Sequence, residues 1–172
     1  MIDLKEKIRN IPDFPVKGIQ FKDITTLLKD KEAFKFSIDE ITKHCSEYQI
    51  DYIAGIEARG FIIGAPVAYQ LGVGFLPIRK PEKLPSEVER VSYQLEYGEN
   101  ILEMHKDSIN NGDKVMVVDD LLATGGTTAA VFELIEKLGG KVVGSSFIIE
   151  LEFLNPREKL KGYDIFSLVQ YD

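Results

Sequence analysis

A single cysteine, Cys45, stands among 172 residues, so no intramolecular disulfide can form, and no basic segment followed by an apolar one opens the chain as a secretory signal would. No apolar run approaches the roughly 20 residues that a membrane-spanning helix needs. Basic residues are in deficit: 21 Lys and Arg against 28 Asp and Glu leave a net charge of −7. Nucleic acid and anionic membrane are therefore not expected partners, and an anionic ligand needs a local site. The two histidines, His44 and His105, have no metal-ligand spacing with the cysteine, and neither a cysteine nucleophile nor a serine triad is indicated. Also missing are the GxGxxG fingerprint, the lysine-serine ending of a Walker A loop, internal repeats, low-complexity segments and an interdomain linker. What remains is one domain of a reducing cytoplasm, residues 1–172, whose 44% apolar content suffices for a sizeable core.

Within that domain the apolar residues are periodic. Phe34, Ile38, Ile41 and Cys45 fall on one stripe of an amphipathic helix over Ala33–Cys45. Tyr52–Ile56 is a short buried strand ending in the turn Glu57-Ala58-Arg59-Gly60, and Phe61–Leu71 is a buried helix. Val73–Ile78, Lys114–Val118 and Lys141–Glu150 are further strands, with a helix at Thr127–Leu138 closed by Gly139-Gly140. Alternating strands and helices predict an α/β fold with a mainly parallel twisted sheet flanked by helices, its core at about residues 31–150. The chain ends, about 1–30 and 151–172, do not follow the alternation and predict a small hood. Between Arg79 and Glu99 lie Pro81, Pro85, Gly98 and many charges. A connection of that length inside a domain is uncommon and tends to be a functional lid; a mobile loop is expected over about residues 80–99, with a hairpin around Val91–Tyr97.

The most informative stretch is VMVVDDLLATGGTT, residues 115–128. In a parallel sheet, ligands bind beyond the carboxyl ends of the strands, which is where Asp119 and Asp120 fall if Val115–Val118 is a strand. Small residues from Ala123 to Gly126 let a phosphate approach backbone N–H groups. Thr124, Thr127 and Thr128 add hydroxyl donors, and the following helix presents its positive end. Carboxylates accept and do not donate, so the pair suits sugar hydroxyls or hydrated magnesium rather than phosphate itself. Any strand-turn-helix with an acidic end has some of these features; their combination points to a sugar-phosphate site.

This stretch resembles the signature with which the type I phosphoribosyltransferases bind 5-phosphoribosyl-1-pyrophosphate (PRPP). IRNIPDFPVKGIQFKDITTLL (residues 8–28), GIEARGFIIGAPVA, LEYG and the ending REKL…FSLVQYD are similar to the adenine phosphoribosyltransferases, so the likeness covers nearly the whole chain. It implies that Ala123, Thr124, Gly125, Gly126 and Thr127 hold the 5-phosphate and Asp119 and Asp120 the ribose hydroxyls. It further implies that Glu57, Ala58 and Arg59, with a cis peptide in that loop, bind pyrophosphate together with Arg79, Lys80 and Lys83. On the residues alone, Arg59 is as easily a surface charge. Glu82 stands where relatives often have glycine.

For the base, the resemblance implies a sandwich of Phe21 and Leu151, with Lys22 where many relatives carry arginine; Phe21 otherwise reads as an ordinary core residue. Breaking the C1′–pyrophosphate bond builds negative charge on the leaving group, so Arg59 and Arg79 are expected to be catalytic. Glu96 of LEYG is expected to manage the N9 proton, although glutamates on charged loops are usually just exposed, and Tyr97 to act in loop closure. Mg2+ is implied as cofactor, held mainly by PRPP and water. Adenine, PRPP, AMP and pyrophosphate are the implied partners, together with a second copy in a homodimer. A transferase for another base (hypoxanthine, guanine, orotate) shares the PRPP motif, and a PRPP-sensing regulator shares the fold; such regulators usually add a basic or nucleic-acid-binding part that this chain lacks.

Overall fold

The apolar run Val115–Val118 becomes part of a strand that serves two cores at once. In the computed structural model, which describes residues 2–95 and 98–172, this strand is β7 (Lys114–Leu122). It is the centre of a five-stranded sheet in the order β4 (Gly74–Ile78), β3 (Tyr52–Ile56), β7, β8 (Lys141–Leu151) and β9 (Ile165–Tyr171), with every neighbouring pair parallel. Successive side chains of a strand point to opposite faces. Val115 and Val117 therefore join Val131, Leu134 and Phe147 on one side, while Met116 and Val118 join Ile38, Ile41, Ile63 and Val67 on the other.

Helix α4 (Gly126–Lys137) covers the first face; α2 (Lys31–Cys45) and α3 (Arg59–Leu71) cover the second, and α1 (Thr25–Lys29) leads into α2. Asp30 starts α2: its carboxylate accepts from the N–H groups of Glu32 and Ala33, both at 3.1 Å, as an N-cap should. Ile38, Ile41 and Cys45 are buried as their spacing requires, with Phe34 half-buried at the margin.

Three features depart from the sequence expectation. First, β7 does not stop at Val118. Asp119 pairs with Phe147 and Leu121 with Ile149, and this backbone ladder with β8 keeps the two acidic residues in extended strand. Second, the stretch 151–172 does not all go to a hood, because β9 joins the main sheet as its edge strand beside β8. What stands apart from the sheet is an antiparallel ribbon of β1 (Arg9–Pro12) and β2 (Gln20–Asp23). Third, the strand pairing expected around Val91–Tyr97 reaches well beyond those bounds, so that much of the 80–99 stretch is paired backbone. β5 (Val88–Leu95) and β6 (Gly98–His105) form an antiparallel pair, and Val91, Leu102 and Met104 are buried against the sheet. Leu102 and Met104 are two residues apart on β6 and Val91 stands opposite Leu102, which gives the pair an apolar face to bury.

Candidate functional site

The carboxyl ends of β3 and β7 open into a cavity of about 670 Å³, within the usual range for a small-molecule site. A hollow of about 760 Å³ lies between Ile2–Lys5 and β9, but it gathers no comparable set of converging polar groups. The larger volume therefore does not mark the site.

After β3 the chain turns through Glu57 and Ala58, whose peptide bond is cis, and enters α3 at Arg59. Arg59 Nε donates to Asp120 Oδ2 at 2.5 Å, and Asp120 is only 3% exposed. The N–H of Asp120 donates to Asp119 Oδ1 at 2.9 Å. Burial, with the neighbouring charge of Asp120, holds the Asp119 carboxyl well above the usual carboxylate range. Gly60 is required here by close approach: a Cβ on it would lie 2.8 Å from Asp119 Oδ1 and 3.0 Å from the Val118 carbonyl oxygen.

Glu57 lines the cavity, and its carboxylate is engaged by its neighbours. Its N–H donates to the Ile78 carbonyl at 3.0 Å. Its Oε2 accepts from Arg79 Nε at 2.9 Å and from the Lys80 N–H at 3.0 Å. Burial opposes its charge, but the Lys80 N–H and the Arg79 guanidinium outweigh burial and leave Glu57 below the ordinary carboxylate range. It ties the turn after β3 to the turn after β4. Arg79 also donates to the Lys83 carbonyl at 3.3 Å, while the Lys80 side chain reaches the cavity wall. Lys83 is exposed and does not line it. Glu82 adopts a φ of +65°, a region that favours glycine.

The loop after β7 forms the far wall. Ala123, Thr124, Gly125 and Thr127 line the cavity, with Gly126 directly between them in the chain. Gly125, at φ +76°, precedes α4 without any side-chain cap. The first-turn N–H groups of a helix have no intrahelical acceptor, so those of Gly126, Thr127 and Thr128 are open to an anion. Among the described residues no cluster of three metal-ligating side chains occurs. Asp119 and Asp120 offer only a few oxygens, one of them already taken by Arg59. That donor set fits an ion such as Mg2+, which keeps most of its waters and binds through ligand phosphates.

Phe21, Lys22 and Leu151 are not on the cavity wall. Phe21 packs edge-on against Phe14 with ring centroids 5.2 Å apart. Lys22 Nζ lies 4.2 Å from the Tyr171 ring centroid and donates to Asn10 at 3.0 Å. Leu151 is the register partner of that same Tyr171. The apolar wall on this side is made by Val16 and Ile19, from the FPVKGI stretch. Glu96 and Tyr97 lie outside the described residues.

Sequence reasoning passed over Tyr93, Asn100 and Lys159, which also line the cavity. The Thr127 hydroxyl donates to Tyr93 Oη at 3.3 Å, which joins β5 to the start of α4. Only Lys159 had a signal, its place in REKL.

The phosphoribosyl transferase domain family matches residues 25–166 of the chain. The adenine phosphoribosyltransferase of Halothermothrix orenii is 60% identical over 169 residues, spanning 98% of this chain and 99% of that protein. The crystal structure of the adenine phosphoribosyltransferase from Thermoanaerobacter pseudethanolicus is similar with a TM-score of 0.95 at 55% identity, covering 98% of each chain. That of the Saccharomyces cerevisiae protein, complexed with adenine and an imino-altritol bisphosphate, reaches 0.91 at 41% identity over 96% of each chain.

Proposed function

From the premise that the chain belongs to the adenine phosphoribosyltransferase family, we propose that it transfers the 5-phosphoribosyl group of PRPP to N9 of adenine, releasing AMP and pyrophosphate. The observation that carries this reading is that an uncapped helix start, the Asp119–Asp120 pair with Arg59 hydrogen-bonded to Asp120, and Lys80 all line one cavity. Donors for the 5-phosphate in the loop, acceptors for the ribose diol at the Asp pair and cations for the pyrophosphate at Arg59 and Lys80 follow one another in the order in which PRPP presents those groups.

In the reaction the N9 lone pair forms a bond to C1′ from the face opposite the leaving group. The C1′–O bond breaks with its electrons passing to pyrophosphate, so C1′ inverts. Asp119 and Asp120 hold the two ribose hydroxyls. Arg59, the backbone around Ala58, Arg79 and Lys80 meet the growing pyrophosphate charge, with Lys83 at the entrance; arginine is suited to this by its two-pronged donor geometry. Glu57 contributes by holding Arg79 and Lys80 in place. Mg2+ bound to PRPP oxygens supplies further charge neutralisation when present. Adenine enters against Val16 and Ile19, with Phe21, Lys22 and Leu151 as its proposed contacts. Glu96 takes up the N9 proton, and closure at Tyr97 keeps water from hydrolysing PRPP. The setting is purine salvage in the cytoplasm.

The resemblance also implies a homodimer, and α3 supports it. Ile62, at 43% exposure, and Tyr69, at 87%, are large apolar side chains left open. They stand seven residues apart on one helix face, with Ala65 and Pro66 between them. The wild-type chain is expected to sediment at twice its chain mass, and Tyr69→Glu to shift the population to monomer. A variant that remains fully dimeric would place the contact elsewhere.

The activity is tested by incubating the protein with PRPP and Mg2+ and one of adenine, hypoxanthine, guanine or orotate, following nucleotide and pyrophosphate. AMP from adenine alone is the expected result. Turnover of another base overturns the base pocket but keeps the PRPP site. Tight PRPP binding without turnover identifies a PRPP-sensing regulator.

A further inference from the structure

The phosphate loop contains no cation of its own. Residues 119–128 read Asp-Asp-Leu-Leu-Ala-Thr-Gly-Gly-Thr-Thr, with two acids and no base. A phosphate monoester carries about 1.5 to 2 negative charges at pH 7. A helix start offers about half an elementary charge, and hydroxyls offer none. The nearby arginines are already engaged, Arg59 by Asp120 and Arg79 by Glu57. Much of the phosphate charge therefore lacks a partner within the loop.

Lys159 is positioned to meet it. Its Nζ is 3.9 Å from the point where a Cβ on Gly126 would sit, and Thr124 Oγ1 is 3.7 Å from that same point. Both side chains line the cavity. The neighbouring cations Arg157 and Lys161 are paired with Glu150 and Glu158, whereas among the described residues Lys159 is in no ion pair. The segment carrying it is well anchored. Pro156 and Leu160 are buried, and Arg157 forks onto both oxygens of Glu150 at 2.7 Å each. Ordering a lysine at an exposed surface gains little by itself; ordering one beside open N–H donors supplies what those donors lack.

Resting on the phosphoribosyl-transfer reading, we propose that Lys159 binds the 5-phosphate of PRPP and of AMP, adding a full charge to the neutral loop Ala123–Thr127. It thereby helps to select a phosphorylated ribose over a free one.

The test is calorimetric titration of the wild type, Lys159→Met and Lys159→Arg with ribose 5-phosphate and, separately, with pyrophosphate, beside thermal melts and initial rates. Loss of one charge-assisted hydrogen bond predicts that Lys159→Met binds ribose 5-phosphate about tenfold more weakly or worse. Its affinity for pyrophosphate stays within about twofold, since the site for that anion lies across the cavity. KM for PRPP rises more than kcat falls, and Lys159→Arg recovers most of the affinity. Unchanged binding of ribose 5-phosphate, or a loss confined to pyrophosphate, overturns the proposal. So does a drop in melting temperature that accompanies weaker binding and is not repaired by arginine, which would make Lys159 a packing residue. A wild type that forms no AMP, yet binds ribose 5-phosphate better than Lys159→Met, refutes the transferase reading and upholds the phosphate site.

Discussion

Gly125→Ala lowers kcat/KM for PRPP by about 100-fold or more. Two effects combine at this position. Its φ of +76° costs a residue with a Cβ about 1–2 kcal/mol. The added Cβ would also lie 2.6 Å from the Pro156 carbonyl oxygen, and that oxygen is backbone on the anchored segment carrying Lys159. Relief therefore requires the loop and the segment to separate, moving Thr124 and Thr127 off the phosphate together. A misplacement of about 1 Å is enough for a 100-fold loss. Initial rates with PRPP varied at saturating adenine measure the effect; a variant within threefold of wild type would remove the loop from the phosphate site.

Arg157→Ala destabilises the fold by about 2 kcal/mol at neutral pH, below the cost of breaking a fully buried ion pair because the Arg157 side chain is 49% exposed. Glu150 is 1% exposed and accepts from Arg157 and from the Ser167 hydroxyl, the latter at 2.6 Å. Burial opposes its charge, but the Arg157 and Ser167 hydrogen bonds more than offset this and leave Glu150 below its ordinary value of 4.5. A depressed carboxylate pKa contributes stability that is present above the unfolded value and is lost as pH falls through the folded one. Without Arg157 the burial remains and only the Ser167 part of the offset is left, so the variant loses less than the wild type when Glu150 is protonated. The stability gap is therefore widest near pH 7 and narrows below about pH 4.5. Urea unfolding at pH 7 and pH 4 measures it, and a gap of constant size would assign the loss to packing alone. Arg157→Lys restores only part, because an ammonium cannot grip both oxygens as a fork does.

The parts legible in the sequence are those whose physics is local. Phe34, Ile38, Ile41 and Cys45 announce α2 because a helix repeats every three to four residues wherever it packs. Residues 115–128 announce an anion site because strand end, carboxylates, small residues and helix start are contiguous. The parts that stayed hidden depend on partners far along the chain. Nothing in Asp119–Leu122 says strand until β8 pairs with it. The alternation Ile165–Tyr171 does not say whether it adds to the main sheet or to a cap. Lys159 comes beside Gly126 only once Pro156 and Leu160 are buried, and Tyr93 meets Thr127 only when β5 packs on α4. The contacts of Glu57 with Arg79 and the Lys80 N–H were equally hidden, because they need β4 to pair with β3.

The cavity walls come from residues as far apart as Val16 and Lys159, joined through all the parallel strands between β3 and β8. No partly folded form holds more than a fragment of them, so a ligand of this cavity binds the native state alone. Such a ligand adds RT ln(1 + [L]/Kd) to the free energy of unfolding, about 2.7 kcal/mol at a hundredfold excess over Kd. For a marginally stable domain that is a large share of the total. Starved of substrate, the same chain unfolds more often and meets proteases more often, so its lifetime in a cell follows the supply of what it consumes.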